Sequence, residues 1–166
     1  NRSCRADILA RQERLFENSS VTPAVRYNDS SDLWLARGAN YSKSASRPFS
    51  SSTVRQAIYG TARPEPGQRP HVDLGLYSLT FNNEPESDLR TLEAFRAFRE
   101  QVELEGARYF LEVFDPNLDG VVNPRELPGF INDQIVRSLA GVPLASRPLF
   151  LKIVYHGPAA LEELVS

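Results

Sequence analysis

The chain has 166 residues, enough for one domain with a buried core but short of the roughly 250 residues of a complete β/α barrel. Hydrophobic residues make up 41% and charged residues 24%, as in an ordinary globular protein, and a net charge of −2 provides no basic field for nucleic acid or an anionic membrane. No apolar run approaches the roughly 18 residues of a membrane span, and the lone Cys4 excludes an internal disulfide framework.

An unpaired cysteine fits a reducing, cytoplasmic setting. Charges fill Asn1 to Arg14, where a signal peptide has its apolar stretch, and without a secretory signal the sequon Asn18-Ser19-Ser20 reads as chance. The chain contains no Met and ends at Ser166 inside a run that reads as helix, so a fragment lacking its C-terminal part is expected.

Residues 1–70 are irregular and rich in Ser, Arg and Asn. Asp7 to Phe16 reads as a short helix, with Ile8, Leu9, Leu15 and Phe16 as its apolar part. "SASRPFSSST" and "ARPEPGQRP" read as turn and loop. The interleaved Trp34, Leu35, Tyr41 and Phe49 argue that this segment packs rather than serving as a linker.

From His71 the pattern becomes regular. "HVDLGLYSLTF" has the length and apolarity of a strand. A helix follows in "ESDLRTLEAFRAFREQVELEG", with Leu89, Leu92, Phe95, Phe98 and Val102 at helical spacing, Ser87 as its N-cap and Gly106 as its stop. "RYFLEVF" is a second strand, and "PRELPGFINDQIVRSLAG" a second helix with Phe130, Ile131, Ile135 and Leu139 on its apolar side. "PLFLKIVYH" is a third strand, and "PAALEELVS" opens a third helix with Pro158 in its first turn. This alternation predicts parallel strands joined by right-handed crossovers, and continuous apolar strands predict a sheet covered on both faces.

Alternate residues of a strand share a face. Phe150, Lys152, Val154 and His156 fall on one face of the third strand, and Phe110, Glu112 and Phe114 on one face of the second. If these strands are neighbours, about 4.8 Å apart, Glu112 and Lys152 project into one interior. Only two of the 19 basic residues are lysines, Lys152 and the loop residue Lys43, so a lysine within an apolar run stands out. Such a pair is either a structural ion pair or a desolvated, nucleophilic amine beside a carboxylate that moves protons.

Three blocks, "VDLGLYSLTFNNEPESD", "RYFLEVFDPN" and "PLFLKIVYHGPAALEEL", resemble successive strand blocks of class I aldolases, nearest the tagatose-bisphosphate aldolase branch. The resemblance spans about residues 70–166. It implies an α/β fold: a partial β/α barrel over 71–166, truncated at its C-terminus, with the irregular segment 1–70 packed on it. It implies that Glu112, in the place of the branch's "FFLE" glutamate, is catalytic, and that Lys152, in the place of its "LK" lysine, forms the Schiff base. The implied activity is carbon–carbon bond cleavage or formation on a sugar or sugar-phosphate carbonyl, with no cofactor and no metal. Partners would be the small-molecule substrate and further copies of the chain, without nucleic acid or membrane. Two departures stand out. Leu76 occupies the place where the branch has a lysine in the preceding strand, and the phosphate-binding loops of the last barrel strands would lie beyond Ser166.

Three other residues are candidate substrate ligands: Asp115 in the loop after the second strand, His156 at the C-terminal end of the third, where barrel active sites form, and Arg47 among serines. His156 and Arg47 have competing readings as a structural histidine and a solvated loop arginine. The rival motif is "DPNLDGVVNPRE". Its Asp115, Asn117, Asp119, Gly120, Asn123 and Glu126 fall at the ligand and turn positions of a calcium-binding helix-loop-helix loop. It suggests a calcium-binding or non-catalytic interaction module. Against it stand Leu118 at a normally polar position and a strand where the entering helix should be. No Cys or His spacing suggests zinc, and His71 is the only other histidine.

Overall fold

Strands and helices alternate along the chain in a computed structural model that describes residues 13–28 and 37–166. The elements are β1 (Val25–Arg26), α1 (Val54–Tyr59), β2 (Leu74–Thr80), α2 (Pro85–Glu105), β3 (Arg108–Phe114), α3 (Leu127–Leu139), β4 (Leu151–Ile153) and α4 (Pro158–Val165). All four strands are parallel, in the order β1-β2-β3-β4. The fold is therefore α/β, as the alternation predicts. Among the described residues β1 and β4 are edges, and the sheet does not close on itself. No helix among the described residues is long and apolar enough to cross a membrane.

One sheet face holds the core. Tyr77, Leu79, Tyr109, Leu111 and Val113 meet Phe95, Phe98 and Val102 of α2 and Ile131 and Ile135 of α3. Phe98 is the centre of its aromatic part, stacked on Tyr77 at 4.0 Å and edge-on to Tyr109 at 5.3 Å. The long apolar side chains of α2 thus cover two strands, and dispersion and area burial hold the layers together. Leu89, predicted for this face, is exposed, because a spacing of nine residues at about 100° each puts it on the side of the helix opposite Phe98.

Element ends follow local chemistry. Helix α2 starts at Pro85, three residues after the carboxamide of Asn82 enters the loop, and its N-cap is Glu84, whose carboxylate accepts from Ser87 N–H. Ser87 is therefore not the cap: Pro85 preorganises the first turn upstream of it. Gly106 ends the helix in the left-handed region, φ 61°, as its position predicts. Helix α3 begins only at Leu127, and β4 covers three of the nine residues of "PLFLKIVYH", although Leu149 and Phe150 just before it also hydrogen-bond the backbone of β3.

Residues 1–70 are less irregular than their composition suggests. Six residues are too few to display helical periodicity, yet Thr53 and Gln56 form a capping box and Gly60 closes α1 at φ 70°. Strand β1 also belongs to the sheet, so the sheet begins well before residue 71. Tyr41 and Phe49 are exposed; the packing of this segment comes instead from Tyr27, Asn28 and Ser46. Residues 7–12 of the Asp7–Phe16 helix, like Cys4, Trp34 and Leu35, lie outside the described residues, and 13–18 form turns.

A two-residue strand needs further anchors, and β1 has two. The Tyr27 ring lies flat on Gly75 of β2, where an added Cβ would come within 2.3 Å of ring carbons. Asn28 then continues the ladder with its side chain: its Nδ2 donates to Ser78 O at 2.8 Å and its Oδ1 accepts from Ser78 N at 3.0 Å. Both anchors fix Arg26 beside β2. Gly75→Ala should therefore cost about 1–3 kcal/mol through overpacking, measured as a lower denaturant midpoint with unchanged slope. Unchanged stability would show that Tyr27 is not held on Gly75.

Candidate active site

The face opposite the core carries Leu76, Ser78 and Thr80 of β2, Phe110, Glu112 and Phe114 of β3, and Lys152 of β4. Ser78, Glu112 and Lys152 lie side by side in one row, Ser78 opposite Glu112 and Glu112 opposite Lys152. Arg26 of β1 is opposite Leu76, one step towards the N-terminal end, and its long side chain reaches up to the row. Four successive strands thus each send one polar side chain to the same spot.

Glu112 is the hub. It is 3% exposed, yet both oxygens are engaged. Its Oε1 accepts from Lys152 Nζ, and its Oε2 accepts from Ser78 Oγ at 2.7 Å and from Arg26 Nη2 at 3.4 Å. Arg26 Nη1 also donates to Ser78 Oγ at 2.7 Å. Burial pushes the Glu112 carboxyl up. The hydrogen bonds from Lys152 and Ser78, with the positive charges of Lys152 and Arg26, outweigh it and hold the group below its ordinary value. Glu112 is an ionised carboxylate at neutral pH.

Lys152 differs from its expected environment. Its side chain is 58% exposed, because the face of β4 that carries it is open. Its charged partner is the Glu112 carboxylate. The same opening exposes Phe150, stacked on Phe110 at 4.6 Å one layer below. A small molecule can reach Nζ from this side.

The next layer, at the C-terminal ends of β3 and β4, holds Asp115 and His156, joined Oδ1 to Nε2 at 2.9 Å. The two candidate ligands are thus brought together as an orienting pair, on the edge where the row of Glu112 and Lys152 opens. Arg47 is not brought there. It lines a separate cavity of about 380 Å³ with Glu84, Ser87 and Arg90, beside the start of α2. His71 precedes β2 at the opposite end of the sheet.

The calcium-type loop has other duties. It connects strand β3 to helix α3, with no helix entering it. Asn117 is buried, and its carboxamide donates to Tyr41 O at 2.6 Å and Ser44 O at 2.7 Å and accepts from Ser46 N and Asn82 Nδ2. The backbone of Asp119 donates to Ser42 O, Asn123 accepts from Arg125 N, and Glu126 is the N-cap residue of α3. Among the described residues, no three or more His, Cys, Asp or Glu side chains converge as a metal site.

Ser78 and Arg26 join the site without having been singled out in the sequence. Ser78 leaves a trace there, since with Thr80 it is a polar residue at period two in an apolar strand. Arg26 leaves little, because β1 is too short to show alternation. From its place opposite Leu76 it brings a cation from the neighbouring strand to the row. Comparison with protein-family models, curated proteins and solved structures gives no match to the chain.

Two measurements probe this geometry. A carboxyl held below its unfolded value of about 4.3 contributes stability that is fully present above that pH and lost as pH falls through the folded value. The stability advantage of the wild type over Glu112→Gln should be constant from pH 6 to 8 and shrink on acidification below roughly pH 4.3; an advantage that grows with acid would contradict the assignment. Calorimetric titration with calcium should give no binding in the micromolar range, since Asn117 is committed to the protein; micromolar binding lost in Asp115→Ala would overturn this.

Proposed function

We propose that the chain is a sector of a β/α barrel of class I aldolase type and acts as a carbon–carbon lyase, with Lys152 as the Schiff-base lysine. The substrate is a carbonyl compound of the sugar type, phosphorylated or not. The observation that carries this reading is a reachable amine paired in register with a buried, ionised carboxylate on a parallel sheet.

The chemistry follows from those two groups. Glu112 takes a proton from the Lys152 ammonium, and the neutral amine attacks the carbonyl carbon. The carbonyl oxygen leaves as water with two of the ammonium's three protons, the third stays on the iminium nitrogen, and Glu112 returns to a carboxylate. In cleavage, Glu112 then removes a proton from the hydroxyl two carbons from the iminium carbon. The carbon–carbon bond breaks, its electron pair moves into the iminium to give an enamine, and an aldehyde leaves. Proton return to the enamine carbon and hydrolysis free the lysine. Ser78 and Arg26 hold the carboxylate in place, and burial strengthens these contacts. His156, oriented by Asp115, stands on the edge where a substrate hydroxyl would extend.

Borohydride reduction in the presence of a panel of carbonyl compounds, followed by peptide mapping, tests the reading. Substrate-dependent labelling is expected at Lys152 and should vanish in Lys152→Arg, which stays protonated and forms no imine. Aldol turnover retained by Lys152→Arg would remove Lys152 from the mechanism.

A further inference from the structure

Lys152 alone would neutralise Glu112, yet the site also holds Arg26. Among its described residues the cluster Arg26, Ser78, Glu112 and Lys152 carries two positive charges and one negative. Arg26 is not consumed by Glu112: one nitrogen bonds the neutral Ser78 Oγ at 2.7 Å, while the contact of Nη2 to Oε2 is long, 3.4 Å, and not the bidentate fork that arginine makes with a carboxylate it fully engages. Its side chain is 26% exposed, towards the same open face as Lys152.

The imbalance persists through the reaction. When Glu112 takes a proton from the Lys152 ammonium, both groups become neutral and the Arg26 guanidinium loses its counter-ion. When the iminium forms and Glu112 returns to a carboxylate, the row again carries two positive charges and one negative. At each stage one positive charge is left unbalanced unless the substrate brings an anion. Arg26 and Lys152 grip the two oxygens of one carboxylate, so that anion must lie within a bond or two of the carbonyl carbon. A planar fork of donors suits a carboxylate at that distance.

Resting on the Schiff-base reading, we infer that the substrate is a 2-oxo acid, whose carboxylate, attached to the carbonyl carbon, is bound by Arg26. A phosphorylated ketone places its charge farther from the carbonyl and fits this arrangement less well. Arg26 is then a specificity-determining residue: it selects the substrate by charge and turns its carbonyl towards Nζ.

The test is borohydride trapping at Lys152 with three probes: pyruvate, the neutral hydroxyacetone, and dihydroxyacetone phosphate. Half-maximal labelling is expected at a pyruvate concentration at least about tenfold below that of either other probe, the scale of one charge-assisted contact. Arg26→Gln also loosens Glu112 and should weaken labelling by every probe, so the readout is selectivity: the pyruvate concentration should rise about tenfold more than that of hydroxyacetone. Should Arg26→Gln melt below the assay temperature, Arg26→Lys keeps the charge but loses the fork and should raise it several-fold. Equal labelling by pyruvate and hydroxyacetone, preference for dihydroxyacetone phosphate, or an equal effect of the Arg26 substitution on all probes would overturn the carboxylate assignment and leave the Schiff base standing. Absence of labelling at Lys152 with every probe would overturn both.

Discussion

The structure turns on one buried carboxylate. Glu112 sits buried in β3, an inner strand of the sheet, where an ionised group without partners would cost several kcal/mol. It is kept ionised by donors from three other strands: Lys152 from β4, Ser78 from β2 and Arg26 from β1. Remove the carboxylate and two cations are left facing each other; remove either neighbour and a buried charge loses part of its balance. Glu112 therefore ties the parallel register of the sheet to the electrostatics of the site, and the same tie that satisfies the fold keeps a proton acceptor beside a primary amine.

That arrangement requires the rest of the sheet to be placed correctly. The aromatic core around Phe98 sets β2 and β3 side by side, which puts Ser78 opposite Glu112. Strand β1 is only two residues long and is held by devices outside the normal ladder: a ring lying on the bare backbone of Gly75, and the Asn28 carboxamide acting as a further rung for Ser78. At the C-terminal edge, the buried Asn82–Asn117–Ser46 network ties the segment around Tyr41 to Ser46 over the ends of β2 and β3. A loop that has the spacing of a cation site is thus used as a clasp, because the Asn117 carboxamide is buried and taken up by the protein's own hydrogen bonds.

Much of this is legible in the sequence from His71 onward. Strands with period-two faces and helices with apolar stripes give the alternation, its parallel pairing and the shared face of Glu112 and Lys152, because those signals depend only on local periodicity. What is hidden depends on contacts distant in sequence. Arg26 lies 86 positions before the Glu112 it touches, in a strand too short for any period. Helix α1 is concealed in a serine-rich stretch, and only the Thr53–Gln56 spacing marks it. The environment of Lys152 is also misjudged by its neighbours in sequence: apolar residues on both sides suggest burial, but whether a strand face is covered is decided by what packs on it, and here the face is open.

The most direct measurement is exchange of the protons next to a carbonyl. Enamine formation needs both an imine on Lys152 and a base that removes the adjacent carbon-bound proton. In deuterated buffer, the protein should therefore catalyse deuterium incorporation into the methyl group of pyruvate, followed by NMR. Exchange well above the buffer rate, lost in both Lys152→Arg and Glu112→Gln while the two variants remain folded, is the predicted result. Exchange at the buffer rate with pyruvate, hydroxyacetone and dihydroxyacetone phosphate alike, or undiminished exchange in Lys152→Arg, would show that the row of Arg26, Ser78, Glu112 and Lys152 is an ion-pair network that holds the sheet together and performs no carbonyl chemistry.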